Sequence, residues 1–220
     1  MMENPWKHLP LHEPYVLDMD RPIIEAYNAK VNQTDPNYIH TELLPEPFYG
    51  NPEAPVMLLS LNPSYAKDVD ADFYRQNETA CRLNLEHAPQ EYPFYLLNRA
   101  YKGYAGHDWW YERLGALIID TDLKRVATNV CCIELFPYHS RKFGAQGLAL
   151  PSSHYRHELV LNSIKNQHLI VIMRSVNHWK GAIPELNTYS NVCVLLNPQQ
   201  VNVSPGNMLD GWYERLKEAI

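Results

Sequence analysis

The 220-residue chain is long enough for one sizeable core and short for two, and with 45% hydrophobic and 20% charged residues it is neither disordered nor fibrous in composition. A formal charge of −6 weighs against holding duplex nucleic acid mainly through phosphate contacts, which calls for a basic face. No apolar run approaches the ~18 residues of a membrane span, and the N-terminus shows no basic segment followed by an apolar one, so a cytoplasmic protein without a membrane partner is expected. Its four cysteines, Cys81, Cys131, Cys132 and Cys193, lack C-x-x-C spacing and read as reduced thiols.

Residues 1–53 are punctuated by prolines that stop helices, with one helix expected in "PIIEAYNAKVNQT" starting at Pro22. Residues 1–50 therefore read as an extension packed on a single domain that spans 1–220. Beyond Pro55, four short apolar runs follow: Val56–Leu61, Val126–Ile133, Leu169–Met173 and Val192–Leu196. They lack polar alternation, as strands buried on both faces do. Helical patterns lie between them, over Asp108–Ile119 and over Ser152–Asn166 with Ser152 or Ser153 as N-cap. A shorter helix is expected near Ser175, and another in "MLDGWYERLKEAI". Strands alternating with helices predict an α/β fold, a three-layer α/β/α sandwich around a four-stranded parallel sheet.

Ligands of open parallel sheets gather at the carboxyl ends of the strands. There the runs deliver Ser60-Leu61-Asn62-Pro63-Ser64, then "TNVCCIELFPYHSR", then Arg174-Ser175-Val176-Asn177-His178, then "NPQQVNVSPGN". Read by itself, "LNPSY" is a strand-ending turn in which Asn62 bonds its own backbone, and Asn129 is a polar residue satisfied by main chain.

The order strand-"SLNPS", strand-"VATNVCCIELFP", helix-strand "HELVLNSIKNQHLIVIMRSVNHW", strand-"VLLNPQ" resembles the uracil-DNA glycosylase superfamily, most of all its mismatch-specific uracil and thymine branch. That branch has G-x-N-P-G where this chain has Ser60 to Ser64, and N-P-S where it has Asn197-Pro198-Gln199. Thr128-Asn129-Val130 is similar to the T-N-V-V segment of bacterial and archaeal members, and the likeness runs from about Phe48 onward.

The resemblance implies a DNA-repair hydrolase that cuts the bond between nucleobase and deoxyribose, with no cofactor. It gives Asn62 the role of holding water and Asn197 that of stabilising the departing base. Asn129 would read the base, which a carboxamide can do by donating and accepting side by side. Ser64 stands where strict uracil enzymes carry a blocking tyrosine, which leaves room for thymine or a modified pyrimidine, and Tyr65 follows it in the base pocket. Phe94 would stack on the flipped base, with Phe73 or Tyr74 as competitors. Gln199-Gln200 and the lack of an intercalating leucine depart from the family pattern. The alternative is an inactive relative that binds a free nucleobase, a nucleotide or a protein partner, in place of DNA.

Two further constellations are present in the sequence. His139, His154 and His157 with Cys131 and Cys132 lack a defined zinc-ligand spacing, so no metal is expected. "ELFPYHSR" mixes Glu134, Tyr138, His139 and Ser140, but the chain has no G-x-S-x-G nucleophile elbow and no phosphate-binding glycine motif.

Overall fold

A computed structural model describes residues 2–144 and 147–220. The four apolar runs form four parallel strands: β2 (Val56–Leu59), β3 (Val130–Ile133), β4 (Leu169–Ile172) and β5 (Val192–Val194). A fifth, β1 (Phe48–Tyr49), pairs antiparallel with β3 and gives the order β1-β3-β2-β4-β5. The sheet is thus mostly parallel with five strands, not the four expected. β1 escapes the sequence pattern because it is only a dipeptide after Pro47. Gly50 ends it at φ +93, where a Cβ would lie 2.6 Å from the Val130 carbonyl oxygen, so the close approach to β3 requires glycine.

Eight helices of the described residues surround the sheet: α1 (Arg21–Asn28), α2 (Lys67–Leu85), α3 (Ala105–Arg113), α4 (Gly115–Asp120), α5 (Leu123–Asn129), α6 (Ser153–Lys165), α7 (Val176–Ala182) and α8 (Trp212–Ala219). None is long and apolar enough to cross a membrane. The Asp108–Ile119 pattern is broken at Leu114, whose φ/ψ of −100/6 separates α3 from α4. α2 lies outside the helices expected from the sequence. It is a polar helix whose Phe73, Tyr74, Cys81 and Leu85 face the core, bent at Asn77, whose amide nitrogen donates to the Phe73 carbonyl at 2.9 Å.

One correction moves a proposed site residue. Val126 to Asn129 belong to α5, not to the strand, because Asp122 caps a helix there by accepting from the amides of Lys124 (2.8 Å) and Arg125 (3.1 Å). Val126 and Ala127 are apolar because they are the buried face of that helix. β3 begins only at Val130, so Asn129 stands at its amino end.

Every residue of β2, β3 and β4 is buried, which removes both sheet faces from water and contributes about 1.5–3 kcal/mol for each large aliphatic side chain. The N-terminal segment joins the same core through Trp6, Val16, Leu17, Ile24, Ile39 and Leu44. Asp20, fully buried, accepts from the Tyr138 hydroxyl at 2.8 Å and the Ser152 amide at 3.1 Å and so ties that segment to the chain after β3 and to the start of α6.

The register fixes where function can sit. Leu59 lies opposite both Ile133 and Ile172, so β2, β3 and β4 end level with one another. Ser60, Glu134 and Arg174 therefore emerge at one edge of the sheet. The chain leaves β2 for β3 on one side and returns to β4 on the other, which makes this edge the topological switch point.

Candidate functional site

A cavity of about 240 Å³ opens at that switch point. Its floor comes from the strand ends, Ser60 to Ser64 after β2, Glu134 after β3 and Arg174 after β4. Its walls are aromatic: Phe73 and Tyr74 from α2, Tyr104 just before α3, and Trp109 and Trp110 on α3. Phe73 meets Tyr104 edge-on at 4.9 Å between centroids, and the two tryptophans stand perpendicular at 4.7 Å.

Asn62 keeps its turn by donating from Nδ2 to the Pro63 carbonyl (2.9 Å) and to the carbonyl and hydroxyl oxygens of Ser140 (3.3 and 3.1 Å). The nitrogen is engaged with the protein, and Oδ1 has no donor among the described residues. The next turn is pinned by His139, 1% exposed, which places Nδ1 2.6 Å from the Ser64 carbonyl and Nε2 2.9 Å from that of Leu44. Glu46 lies 4.0 Å from Nε2 and accepts the Tyr49 and Tyr95 hydroxyls.

Glu134 is the most unusual group. It is 3% exposed, and its Oε2 has no hydrogen-bond partner among the described residues. Burial pushes its carboxyl up to about 8, and Glu46 adds to the rise, while the Ser60 hydroxyl, Arg174 and the Leu61 amide oppose it. Ser60, Glu46 and Arg174 all line the cavity, so the carboxyl faces the same space. Asp70, also in the lining, is raised by burial as well, against the Ala66 amide and His139. Arg174 is lowered first by burial, then raised by Glu134 and lowered by Arg113. Its Nε is buried without a partner, and its guanidinium carbon lies 6.0 Å from the Trp109 ring centre. Glu134 and Arg174 approach without pairing, and each leaves hydrogen-bonding capacity directed at the cavity.

Of the residues expected from sequence, Asn62 and Ser64 line this cavity, as do Phe73 and Tyr74. Four others do not. Phe94 is fully buried, stacked on Tyr49 at 5.5 Å and edge-on to Trp110 at 5.0 Å, which makes it core behind the wall. Tyr65 turns into a neighbouring cleft with His40 and Arg141, its ring parallel to that of His40 and its hydroxyl donating to Glu42 at 3.2 Å. Asn129 donates from Nδ2 to the carbonyls of Arg125 (3.0 Å) and Ile220 (2.9 Å) at the opposite end of β3. Asn197 accepts the Gln199 and Gln200 amides at 3.0 and 3.2 Å and organises an exposed turn after β5. The pocket of four polar residues expected from sequence is therefore reduced to two, joined by Glu134 and Arg174.

Among the described residues no group of three or more histidine, cysteine or acidic side chains is arranged to hold a metal ion. All four cysteines are buried free thiols. Compared with known proteins, the chain matches no family model, no curated sequence and no solved structure.

Proposed function

We propose that the cavity holds a nucleobase and that the protein hydrolyses the N-glycosidic bond joining it to a sugar, as the resemblance to uracil-DNA glycosylases implies. One observation carries this reading: an amide oxygen open to water, on Asn62, and a buried carboxyl raised to about 8, on Glu134, converge on one aromatic-walled recess. Aromatic walls suit the flat face of a base, and a switch-point recess suits a small ligand. The reading takes helices to cover both sheet faces as three layers, in keeping with strands buried along their length. A cytoplasmic setting fits the free thiols.

In this mechanism Asn62 Oδ1 orients a water at the sugar C1′. The C1′–N bond breaks and its electron pair leaves on the base. The water oxygen bonds C1′, Glu134 gives its proton to the base, and the water's proton passes to solvent, from which Glu134 is recharged. Glu134 thus takes the leaving-group task that the motif order gave to Asn197, and Ser64 borders the base in an open position. An amide holds water but is no general base, so a slow enzyme is expected.

The test is base release, followed chromatographically, from oligonucleotides containing uracil, mismatched thymine or hypoxanthine and from the corresponding nucleosides and nucleotides. Release that falls in Asn62→Ala and falls further in Glu134→Gln is expected. No release from any of these substrates, or wild-type release in both variants, overturns the hydrolase. A second reading, a module that binds a free base or nucleotide without cutting it, is favoured by three carboxyls in the lining, Glu46, Asp70 and Glu134, and by the net charge of −6. Binding of a base without release would establish it.

A further inference from the structure

We infer that the ligand of this cavity carries its own phosphate, held by Arg174 with Arg113 behind it, so that a mononucleotide rather than a stretch of DNA is the substrate. The inference rests on the base-pocket reading and adds the class of molecule that fills it.

Arg174 is the only arginine or lysine in the cavity lining among the described residues, and there it makes no hydrogen bond or ion pair. Arg113, at the end of α3, brings a second guanidinium to the same indole. The two guanidinium carbons lie 5.3 and 6.0 Å from the Trp109 ring centre, and Nε of each is buried without a partner. Arg113 is anchored from the other side by Asn202 at 2.7 Å and by the exposed Glu112 at 2.9 Å. Each arginine meets the other as a like charge, an arrangement that an anion between them stabilises. Glu134 does not serve as that anion, since a carboxyl raised to about 8 is largely protonated at neutral pH. Ala105 and Gly106, the first residues of α3, border the same cavity, and the amino end of a helix adds a favourable field for a phosphate. Guanidinium groups match phosphate oxygens with paired donors, which lysine cannot do.

The same surroundings disfavour a polymer. A base flipped from DNA has phosphates on both sides, and the cavity offers one basic cluster beside the Glu46 and Asp70 carboxyls. Exposed Arg141 has its guanidinium carbon 5.9 Å from the Tyr65 ring centre and lines the neighbouring cleft, not this cavity.

Calorimetry on the full chain at low salt compares deoxyuridine, its 5′-monophosphate and a uracil-containing single-stranded oligonucleotide. The monophosphate is expected to bind about tenfold or more tighter than the nucleoside, since a charge-assisted hydrogen bond supplies about that factor. Arg174→Met should erase the advantage, read as the ratio of monophosphate to nucleoside affinity in the same variant, and Arg113→Met should reduce it in part. Should Arg174→Met not fold, Arg174→Lys replaces it: the charge is kept, the paired donors are lost, and the advantage should shrink. Equal affinity for nucleoside and monophosphate overturns the inference and spares the base pocket. So does an oligonucleotide that binds tighter than the monophosphate, or an advantage that survives every arginine substitution. Binding of neither nucleoside nor monophosphate removes the base pocket and the inference together.

Discussion

The two ends of the parallel sheet treat similar side chains in opposite ways. At the amino ends, polar groups close on the protein itself: Asn129 Nδ2 and Arg125 Nε both donate to the Ile220 carbonyl, and Asn191 Nδ2 donates to that of Gln167. At the carboxyl ends of β2, β3 and β4, Asn62 Oδ1, Glu134 Oε2 and Arg174 Nε are left without partners around a cavity. An unpaired buried polar atom costs roughly 1–3 kcal/mol, so Glu134 Oε2 and Arg174 Nε in one place are a concentrated cost that a bound ligand offsets. The residue type does not mark the site. Unused capacity also occurs at His87, His107, Arg156 and Asn162, and what sets this end apart is that it gathers around one cavity.

Glu134→Gln breaks this contrast most severely. Loss of a general acid should lower base release about 10²–10⁴-fold. Wild-type release should fall as pH rises through about 8, where the carboxyl ionises, and the variant should lose that limb. Stability falls with rising pH as well. A carboxyl raised from 4.5 to about 8 holds a proton in the folded state that the unfolded chain has given up, so its penalty grows as pH rises from 4.5 and levels off above about 8. The full difference corresponds to roughly 5 kcal/mol as an upper bound. Denaturant melts at pH 5 and pH 9 should therefore show wild type losing stability across the interval and Glu134→Gln losing much less. Equal pH dependence in both proteins would show that the carboxyl is solvated.

Asn62→Ala comes next. It should reduce kcat by about tenfold to a hundredfold with KM changed little, because the amide oxygen acts on the water and not on the base. Its nitrogen also braces Pro63 and Ser140, so a melt must accompany the kinetics. A raised KM at unchanged kcat would move Asn62 from the water to the ligand.

Both ends were legible in the sequence to different depths. The four parallel strands declare themselves because burial on both faces demands uninterrupted apolar runs. Asn62 and Ser64 follow directly, being the next residues of the chain after β2. α2 was hidden by its polar exposed face, and β1 by its length. Asn129 was misplaced because Val126 and Ala127, the buried face of α5, run without a breaker into Val130, and only the Asp122 cap marks a helix there. Glu134 and Arg174 are one residue and two residues past β3 and β4. Nothing local distinguishes them; their character comes from the register that levels three strand ends and from the desolvation that follows.

Asn129→Ala tests the closed end of the sheet. Losing the bonds to Arg125 and Ile220 should cost about 1 kcal/mol of stability, seen as a lower melting point, with base release per folded molecule unchanged. Reduced release at full folding would return Asn129 to the site and erase the distinction between the two ends.

The smallest effect is expected at Asn197. Its Oδ1 caps two amides of an exposed turn, and the turn is held independently by Asn207, which accepts the Asn197 amide at 2.7 Å and donates to the carbonyls of Gln200 and Asn202. Asn197→Ala should therefore cost at most about 0.5–1 kcal/mol and leave both binding and release within about twofold of wild type. Asn207→Ala, by contrast, removes the brace that keeps Asn202 against Arg113, and it should weaken binding of the monophosphate more than that of the nucleoside. If Asn197→Ala lowered release tenfold with the melting point unmoved, its amide would have to reach the departing base. The turn after β5 would then belong to the site, and the open end of the sheet would extend across all four parallel strands instead of three.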